Sequence, residues 1–243
     1  MQVTLALLAY NEAVTIEATV TEAAGKLALA FTAGEWELLV INDGSRDDTG
    51  AICERLSTQL PGIRVYHHDP NRGYIEATLS ALREAKGKYI CIFDGDGQHT
   101  ADDVPRFVEK LEKGCDVVFG WKKQRFDQPT RLVLTRGLRL AARFFLHTRL
   151  HDINAGCRGY RRAHIKKLMT IKHRINFVGP ELYTRARLHD LHICEMVVQH
   201  KPRIGGESSH PLQKIPREIW KVFTYLKALR RELREASKDR RFI

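Results

Sequence analysis

Six consecutive residues, Asp94-Gly95-Asp96-Gly97-Gln98-His99, carry the clearest chemical signal in this sequence. Two carboxylates one residue apart repel each other unless a cation lies between them. Hard oxygen donors of this kind suit Mg²⁺ or Mn²⁺, ions that commonly hold substrate phosphates too. A lone Asp-x-Asp is more often a plain Asp/Gly turn, so its place in the fold decides its weight. An EF-hand loop needs Gly at its sixth position and Glu at its twelfth. Those positions are His99 and Pro105 here, which excludes it. The chain has no GxxxxGK[ST] loop, no GxGxxG after a strand, no HExxH and no GxSxG. P-loop, dinucleotide, zincin and elbow-type hydrolase chemistries therefore lose their support.

The elements that must position the acidic turn are legible up to about residue 120. Apolar runs at Val3–Leu8, Trp36–Ile41, Ile63–His67, Tyr89–Phe93 and Val117–Phe119 read as strands. Helical segments near 12–31, 47–60, 74–86 and 101–113 separate them. Continuous apolar strands alternating with helices predict an α/β fold, a mostly parallel sheet covered on both faces. Ligands in such sheets bind beyond the carboxyl ends of the strands. That rule singles out Tyr10–Glu12, Asn42–Ser45, Asn71–Gly73 and Asp94–His99.

After residue 120 the texture changes. Residues 121–131 read as a polar loop, followed by a basic amphipathic helix from Leu132 to His147 and a polar turn over 151–162. A helix over about 177–190 and a strand at 193–198 come next. From Pro216 onward, Ile219, Val222, Leu226, Leu229 and Leu233 fall on one helical face, with Trp220 and Phe223 alongside. Lys or Arg at 217, 221, 227, 230, 231 and 234 suits an interfacial helix on anionic lipid. The same spacing also suits packing on the catalytic domain or on a second copy. The expected division is 1–214 as catalytic domain, itself split at 120, with 215–243 as an appended basic helix.

The net charge of +11 hides an asymmetry: residues 1–120 carry a net −8 and residues 121–243 a net +19. Such a one-sided excess attracts polyanions: nucleic acid, an anionic membrane or a phosphorylated substrate. No nucleic-acid reader motif is present and the basic residues are not interleaved with stacking aromatics, so nucleic acid is not the expected partner. No run approaches the roughly 20 apolar residues of a spanning helix, and the N-terminus reads as a strand, not a signal peptide. Five scattered cysteines (Cys53, Cys91, Cys115, Cys157, Cys194) lack any CxxC pair. That pattern argues against both a disulfide framework and a structural zinc site, and for a reducing compartment.

Taken together, the strand-end residues resemble glycosyltransferase family 2, which has the GT-A (Rossmann-like) fold. The matches are Leu8-Ala-Tyr-Asn-Glu12, Val40-Ile-Asn-Asp-Gly-Ser-Arg-Asp-Asp-Thr49, Asn71-Arg-Gly73 and Asp94-Gly-Asp-Gly-Gln-His99. Gly120-Trp-Lys122, Thr135-Arg-Gly137, Asp152 to Arg158 and His200-Lys-Pro-Arg-Ile-Gly-Gly-Glu-Ser208 narrow the likeness to polyprenyl-phosphate sugar transferases, similar to dolichyl-phosphate mannose synthase.

The resemblance implies an inverting transferase moving a sugar from a GDP- or UDP-sugar to a polyprenyl or dolichyl phosphate, peripheral at the cytoplasmic face of a membrane. It implies that Ala9, Tyr10, Glu12, Asp43, Gly44, Asp94, Gly95 and Asp96 hold the nucleotide sugar, and that Asp96 with Gln98 ligates Mg²⁺ or Mn²⁺. Lys122, Arg136, Arg158 and Arg203 would gather around the acceptor phosphate. Asp94, Asp96, Arg136 and Arg203 would carry catalysis. A soluble saccharide acceptor is the alternative and would need a base such as Asp152 or Glu181. His67, His68 and His99 read as structural. A separate membrane subunit and a homo-oligomer both stay open. Three departures from the family pattern stand out: Leu8 replaces a usual Pro, Gly97 a common Leu, and Gly206-Glu-Ser-Ser209 a Gly-x-Ser-Lys phosphate contact.

Overall fold

The computed structural model describes residues 1–123, 129–173, 175, 177–202 and 215–239. Seven strands form one sheet: β1 (Val3–Ala9), β2 (Trp36–Asn42), β3 (Ile63–His67), β4 (Tyr89–Asp94), β5 (Val117–Lys122), β6 (Cys157–Arg161) and β7 (Ile193–Val198). Their order is β3-β2-β1-β4-β6-β5-β7, with β6 antiparallel to both neighbours and every other pairing parallel. The helices are α1 (Ile16–Ala30), α2 (Thr49–Gln59), α3 (Tyr74–Glu84), α4 (Val104–Glu112), α5 (Pro129–Leu146), α6 (Ile165–Leu168), α7 (Val178–Leu188) and α8 (Ile215–Asp239).

Two apolar layers sandwich the sheet, as the continuous strand runs require. Helices α1, α2 and α4 cover one face through residues such as Val20, Leu27, Leu56 and Phe107, packed on Leu5, Leu38 and Cys91. Helices α3, α5, α7 and α8 cover the other through Leu82, Phe145, Leu182 and Leu229, packed on Leu39, Ile92 and Phe119. In α1 the buried positions Ile16, Val20, Ala23, Ala24 and Leu27 recur at helical spacing, so one stripe faces the sheet.

Two sequence expectations change and one open choice is decided. The stretch 151–162 is not only a turn: Cys157–Arg161 is a strand inserted between β4 and β5. Its five residues include Arg158, Gly159 and Arg161, and this polar character masks the strand pattern. Next, the apolar face of α8 does not wait for lipid. Tyr225, Leu226 and Leu229 are buried, and Val222 and Leu233 pack against the same core as α5 and α7. Buried Arg185 of α7 bridges Glu181 and Glu232 of α8, each at 2.8 Å, which pins the helix to the domain. Finally, Cys115 and Cys194 form a disulfide, their Cα atoms 5.9 Å apart, where free thiols were expected. Parallel pairing of β5 with β7 brings together cysteines 79 residues apart in sequence. Cys53, Cys91 and Cys157 are free and buried.

Candidate active site

The turns that follow β1, β2 and β4 lie side by side because those strands are parallel neighbours. Asp43 N–H donates to Ala9 O (2.9 Å), and Gly95 N–H donates to Leu8 O (2.8 Å), so all three strand ends are stitched together. Polar side chains then lock the first turn to the second. Asn11 N–H donates to Ser45 Oγ, Arg46 N–H to Asn11 Oδ1 and Glu12 N–H to Thr49 Oγ1, all within 3.0 Å. Tyr10 stays exposed at the rim, and Glu12 is half-buried, accepting the Thr15 hydroxyl at 3.2 Å.

Asp43 is enclosed by donors. His68 Nδ1–H (2.6 Å) and Arg72 N–H (3.0 Å) donate to one oxygen, while Gly73 N–H and the Asn71 amide (both 2.9 Å) donate to the other. A buried carboxylate needs such a set of partners. Gly44 is required beside it: its φ is +66°, and a Cβ there would sit 2.4 Å from Asn71 N. The Asn71-Arg-Gly73 signal thus marks a cup around Asp43, with His68 as a structural partner.

The acidic turn is built differently. Asp94 ends β4, its N–H donating to Gly156 O (3.0 Å), and one carboxylate oxygen accepts the Tyr74 hydroxyl at 2.9 Å. The other oxygen faces Gly156, where a Cβ would lie 2.0 Å from it. Burial and the neighbouring charge of Asp96 push the Asp94 carboxyl above its ordinary value, while Lys122, Arg158 and the Tyr74 hydroxyl pull the other way. Asp96 Oδ1 accepts Gln98 N–H at 3.1 Å. The Gln98 side chain is buried, its amide directed at Lys201 O (3.5 Å), and Lys201 N–H donates to Gln98 O (2.8 Å). Burial first, then the positive charge of Lys122, holds the His99 imidazole well below its ordinary pKa, so it is neutral at neutral pH.

Of the basic residues expected at an acceptor phosphate, Lys122 stands at the end of β5 and acts electrostatically on both Asp94 and His99. Arg136 lies on the exposed face of α5. Arg203 lies outside the described residues. Arg158 has no exposed surface, and its Nη2–H donates at 2.8 Å to the Tyr74 hydroxyl that in turn donates to Asp94. Its strand is central in the sheet and its side chain is enclosed with Tyr74. Glu181, offered as a base for a soluble acceptor, is also enclosed and is bound to Arg185 at 2.8 Å.

Two contributors escaped the sequence reading. Tyr74 opens α3 directly after the Gly73 turn, but an N-terminal helix tyrosine has no signature of its own. Glu195 of β7 accepts His151 N–H (2.7 Å), His151 Nδ1–H (2.7 Å) and Asp152 N–H (3.0 Å). It fastens the segment that carries Gly156 against the acidic turn. Trp121 stacks on the same His151 ring with centroids 4.0 Å apart.

A sheet with one antiparallel strand between β4 and β5, and an acidic turn closing β4, defines the GT-A class of α/β fold. The chain belongs to glycosyl transferase family 2, whose family model matches residues 4–169. Among curated relatives, an undecaprenyl-phosphate 4-deoxy-4-formamido-L-arabinose transferase of Pseudomonas aeruginosa is 28% identical over 218 residues, 88% of this chain and 61% of that protein. Glycosyltransferase AglD of Haloferax volcanii is 30% identical over 209 residues, 84% of this chain and 34% of that protein. This chain therefore spans under two thirds of the length of these relatives. The structure of glucosyl-3-phosphoglycerate synthase from Mycobacterium tuberculosis, in complex with Mn²⁺, UDP and phosphoglyceric acid, superposes with TM-score 0.69 at 20% identity. The match covers 94% of this chain and 78% of that one.

Proposed function

We propose that this chain transfers a sugar from a nucleoside-diphosphate sugar to a polyprenyl phosphate, with inversion at the anomeric carbon. The observation that carries the reading is the acidic turn, Asp94 and Asp96, at the carboxyl edge of a parallel sheet with Lys122 beside it. The undecaprenyl-phosphate relative, matched over 88% of this chain, supports the acceptor class.

The donors on the acidic turn are all oxygens: the two carboxylates and the Gln98 amide oxygen. That set fits Mg²⁺ or Mn²⁺ and not a thiolate-seeking metal. When bound, such an ion neutralises the charge that grows on the leaving diphosphate. The protein's own groups would do the rest. Tyr10, Glu12 and the Asn11–Ser45 turn offer a rim for the base and ribose. Asp43, fully bonded within its cup, shapes that rim. Asp94, oriented by Tyr74 and by Arg158 behind it, faces the sugar nucleotide. Lys122 and, from α5, Arg136 would meet the acceptor phosphate.

An acceptor phosphate oxygen attacks the anomeric carbon as the bond to the diphosphate breaks, and the nucleoside diphosphate departs. A phosphate monoester is mostly dianionic at neutral pH and needs no strong base, which suits an acidic turn whose imidazole, His99, is half-buried and neutral. The deciding assay supplies labelled nucleotide sugars and Mn²⁺ with either a short polyprenyl phosphate or water-soluble saccharides and phosphates. Product on the lipid alone is expected; product only on soluble acceptors would replace the lipid assignment.

Membrane contact is part of the same proposal, moved to a different surface. Leu140 and Phe144 of α5 are 62% and 64% exposed, Trp220 and Phe223 of α8 69% and 46%. Ring contacts Phe144–Phe145 (5.1 Å), Phe145–Phe223 (4.9 Å) and Trp220–Phe223 (6.5 Å) make them one continuous ridge. Exposed Arg136, Arg143, Lys221 and Lys227 flank it, and Arg136, Leu140 and Phe144 share a face of α5 at spacings of four. An apolar ridge with a basic border fits the cytoplasmic, anionic face of a bilayer. The double variant Trp220→Ala/Phe223→Ala should lose most flotation with phosphatidylserine-containing liposomes and keep its melting temperature; unchanged flotation removes the ridge from the proposal.

A further inference from the structure

The disulfide stands next to a third side chain that bears on its chemistry. Cys115 precedes β5, and His192 and Cys194 open β7. The potential ligand atoms of all three lie within 4.8 Å of one another, and they are the single such His/Cys/Asp/Glu group among the described residues. His192 Nε2 is 3.9 Å from Cys194 Sγ. The ring's other nitrogen, Nδ1–H, donates to Gly114 O at 3.0 Å. A backbone carbonyl accepts only, so this bond fixes the tautomer and leaves the Nε2 lone pair turned toward the sulfur. Metal-binding histidines are characteristically oriented by just such a bond from the remote nitrogen to a carbonyl.

The scaffold beneath is tied independently of the sulfurs. His192 N–H donates to Asp116 Oδ2 (2.9 Å), and Asp116 N–H and Val117 N–H return to His192 O at 2.8 and 3.2 Å. Gly114, at φ +108°, makes the turn that brings Cys115 to this ladder. Opening the disulfide therefore leaves the two sulfurs and the imidazole nitrogen held near one another by backbone. His192 is exposed and Cys194 partly so, giving an ion a path from solvent.

We propose that Cys115, Cys194 and His192 form a redox-gated site for a zinc-class divalent cation, empty when the cysteines are bonded and filled when they are reduced. A dithiol, itself oxidised to a disulfide, supplies two electrons and two protons, or a phosphine supplies two electrons and is converted by water to its oxide as the water's two protons pass to the sulfurs; either way the disulfide becomes two thiols. The cation then displaces the thiol protons and is held by two thiolate sulfurs, the imidazole Nε2 and a water. Two sulfurs and one nitrogen with an open fourth position is an arrangement Zn²⁺ accepts, and these softer donors exclude Mg²⁺. The site is also separate from the acidic turn. It lies at the amino-terminal ends of β5 and β7, whereas the turn lies at the carboxyl ends, roughly 20 Å away for a six-residue strand. Its occupant would clasp edge strand β7 to β5 in place of the disulfide.

The experiment uses the full chain with excess Mg²⁺ throughout, so that the oxygen donors of the acidic turn are occupied. Protein reduced with a phosphine is titrated with Co²⁺ and followed in the near-ultraviolet, then competed with Zn²⁺ against a chromophoric chelator. One equivalent with a thiolate-to-cobalt charge-transfer band is expected, along with its disappearance after oxidation with diamide. His192→Ala should weaken Zn²⁺ binding by about tenfold or more, and Cys115→Ser/Cys194→Ser should abolish the band. Absence of the band in reduced wild-type protein, which requires no variant to fold, overturns the proposal. So does equal Zn²⁺ binding by the reduced and oxidised protein.

Discussion

Asp43 and Asp94 stand at the carboxyl ends of two strands of the same sheet, β2 and β4, each flanked by glycine, yet they are held in opposite ways. Asp43 accepts from a histidine, an asparagine and two backbone N–H groups, so its charge is fully compensated within the protein. Asp94 accepts one hydroxyl, and burial first, then the charge of Asp96, raises its pKa. The first carboxylate organises a loop. The second lies beside Asp96 with a single hydroxyl donor and the charge of Lys122 nearby. Under the proposed function, identical chemistry at equivalent positions divides into architecture and catalysis according to how many donors the surrounding backbone supplies.

The sharpest way to break this comparison is to delete each carboxylate in turn. Asp96→Ala should lower transfer roughly a thousandfold, about 4 kcal/mol of transition-state stabilisation, with little change in urea midpoint. Asp43→Ala should do the reverse first, losing about 3 kcal/mol of stability because buried donors are stranded, with activity falling only as the native population falls. If Asp43→Ala abolishes transfer in protein of wild-type stability, Asp43 touches substrate and the distinction collapses.

A smaller effect is expected at Tyr74. Tyr74→Phe removes the hydroxyl that links Asp94 to the enclosed Arg158, and should reduce kcat about tenfold, near 1.4 kcal/mol, while KM for the donor changes little. A change confined to KM would reassign Tyr74 to nucleotide binding.

The smallest effect is a pH dependence of stability. His99 is neutral in the fold because burial and Lys122 lower its pKa, whereas in the unfolded chain it titrates near 6.5. The unfolded state therefore binds more protons below that pH. The stability that His99 allows is complete above about pH 6.5 and is lost as pH falls toward the depressed folded pKa. The slope from this group is at most about 1.4 kcal/mol per pH unit. His99→Asn should flatten that part of the urea-midpoint profile, and an unchanged slope assigns it to other groups.

How much of this was legible varies along the chain. The first five strands and the four turns at their ends follow from apolar runs of fixed period, because a buried parallel sheet leaves no polar face to confuse the pattern. The acidic turn and the Asn71-Arg-Gly73 cup follow from their place at those ends, whereas Lys122 follows only from the family resemblance. Strand β6 escapes the pattern because Arg158 and Arg161 interrupt its five residues; Arg161 donates to the carbonyls of Cys115 and Leu111, and Arg158 donates through Nη2 to the Tyr74 hydroxyl. The resemblance offers Arg158 for the acceptor phosphate; nothing in the local sequence says that an interior strand encloses it.

By itself, the sequence determined the parallel α/β sheet, the oxygen-donor turn at Asp94 and Asp96, and the division between an acidic first half and a basic second half. These are encoded in neighbouring residues, through side-chain period, turn chemistry and summed charge. Only the tertiary structure decided that Asp43 is enclosed by four donors while Asp94 accepts the Tyr74 hydroxyl beside Asp96, that the apolar stripe of α8 is covered by its own domain, and that Cys115 meets Cys194 and His192. Each of these depends on residues many tens of positions apart, brought together by strand order and helix docking, where burial and the supply of hydrogen-bond partners settle what a side chain is free to do.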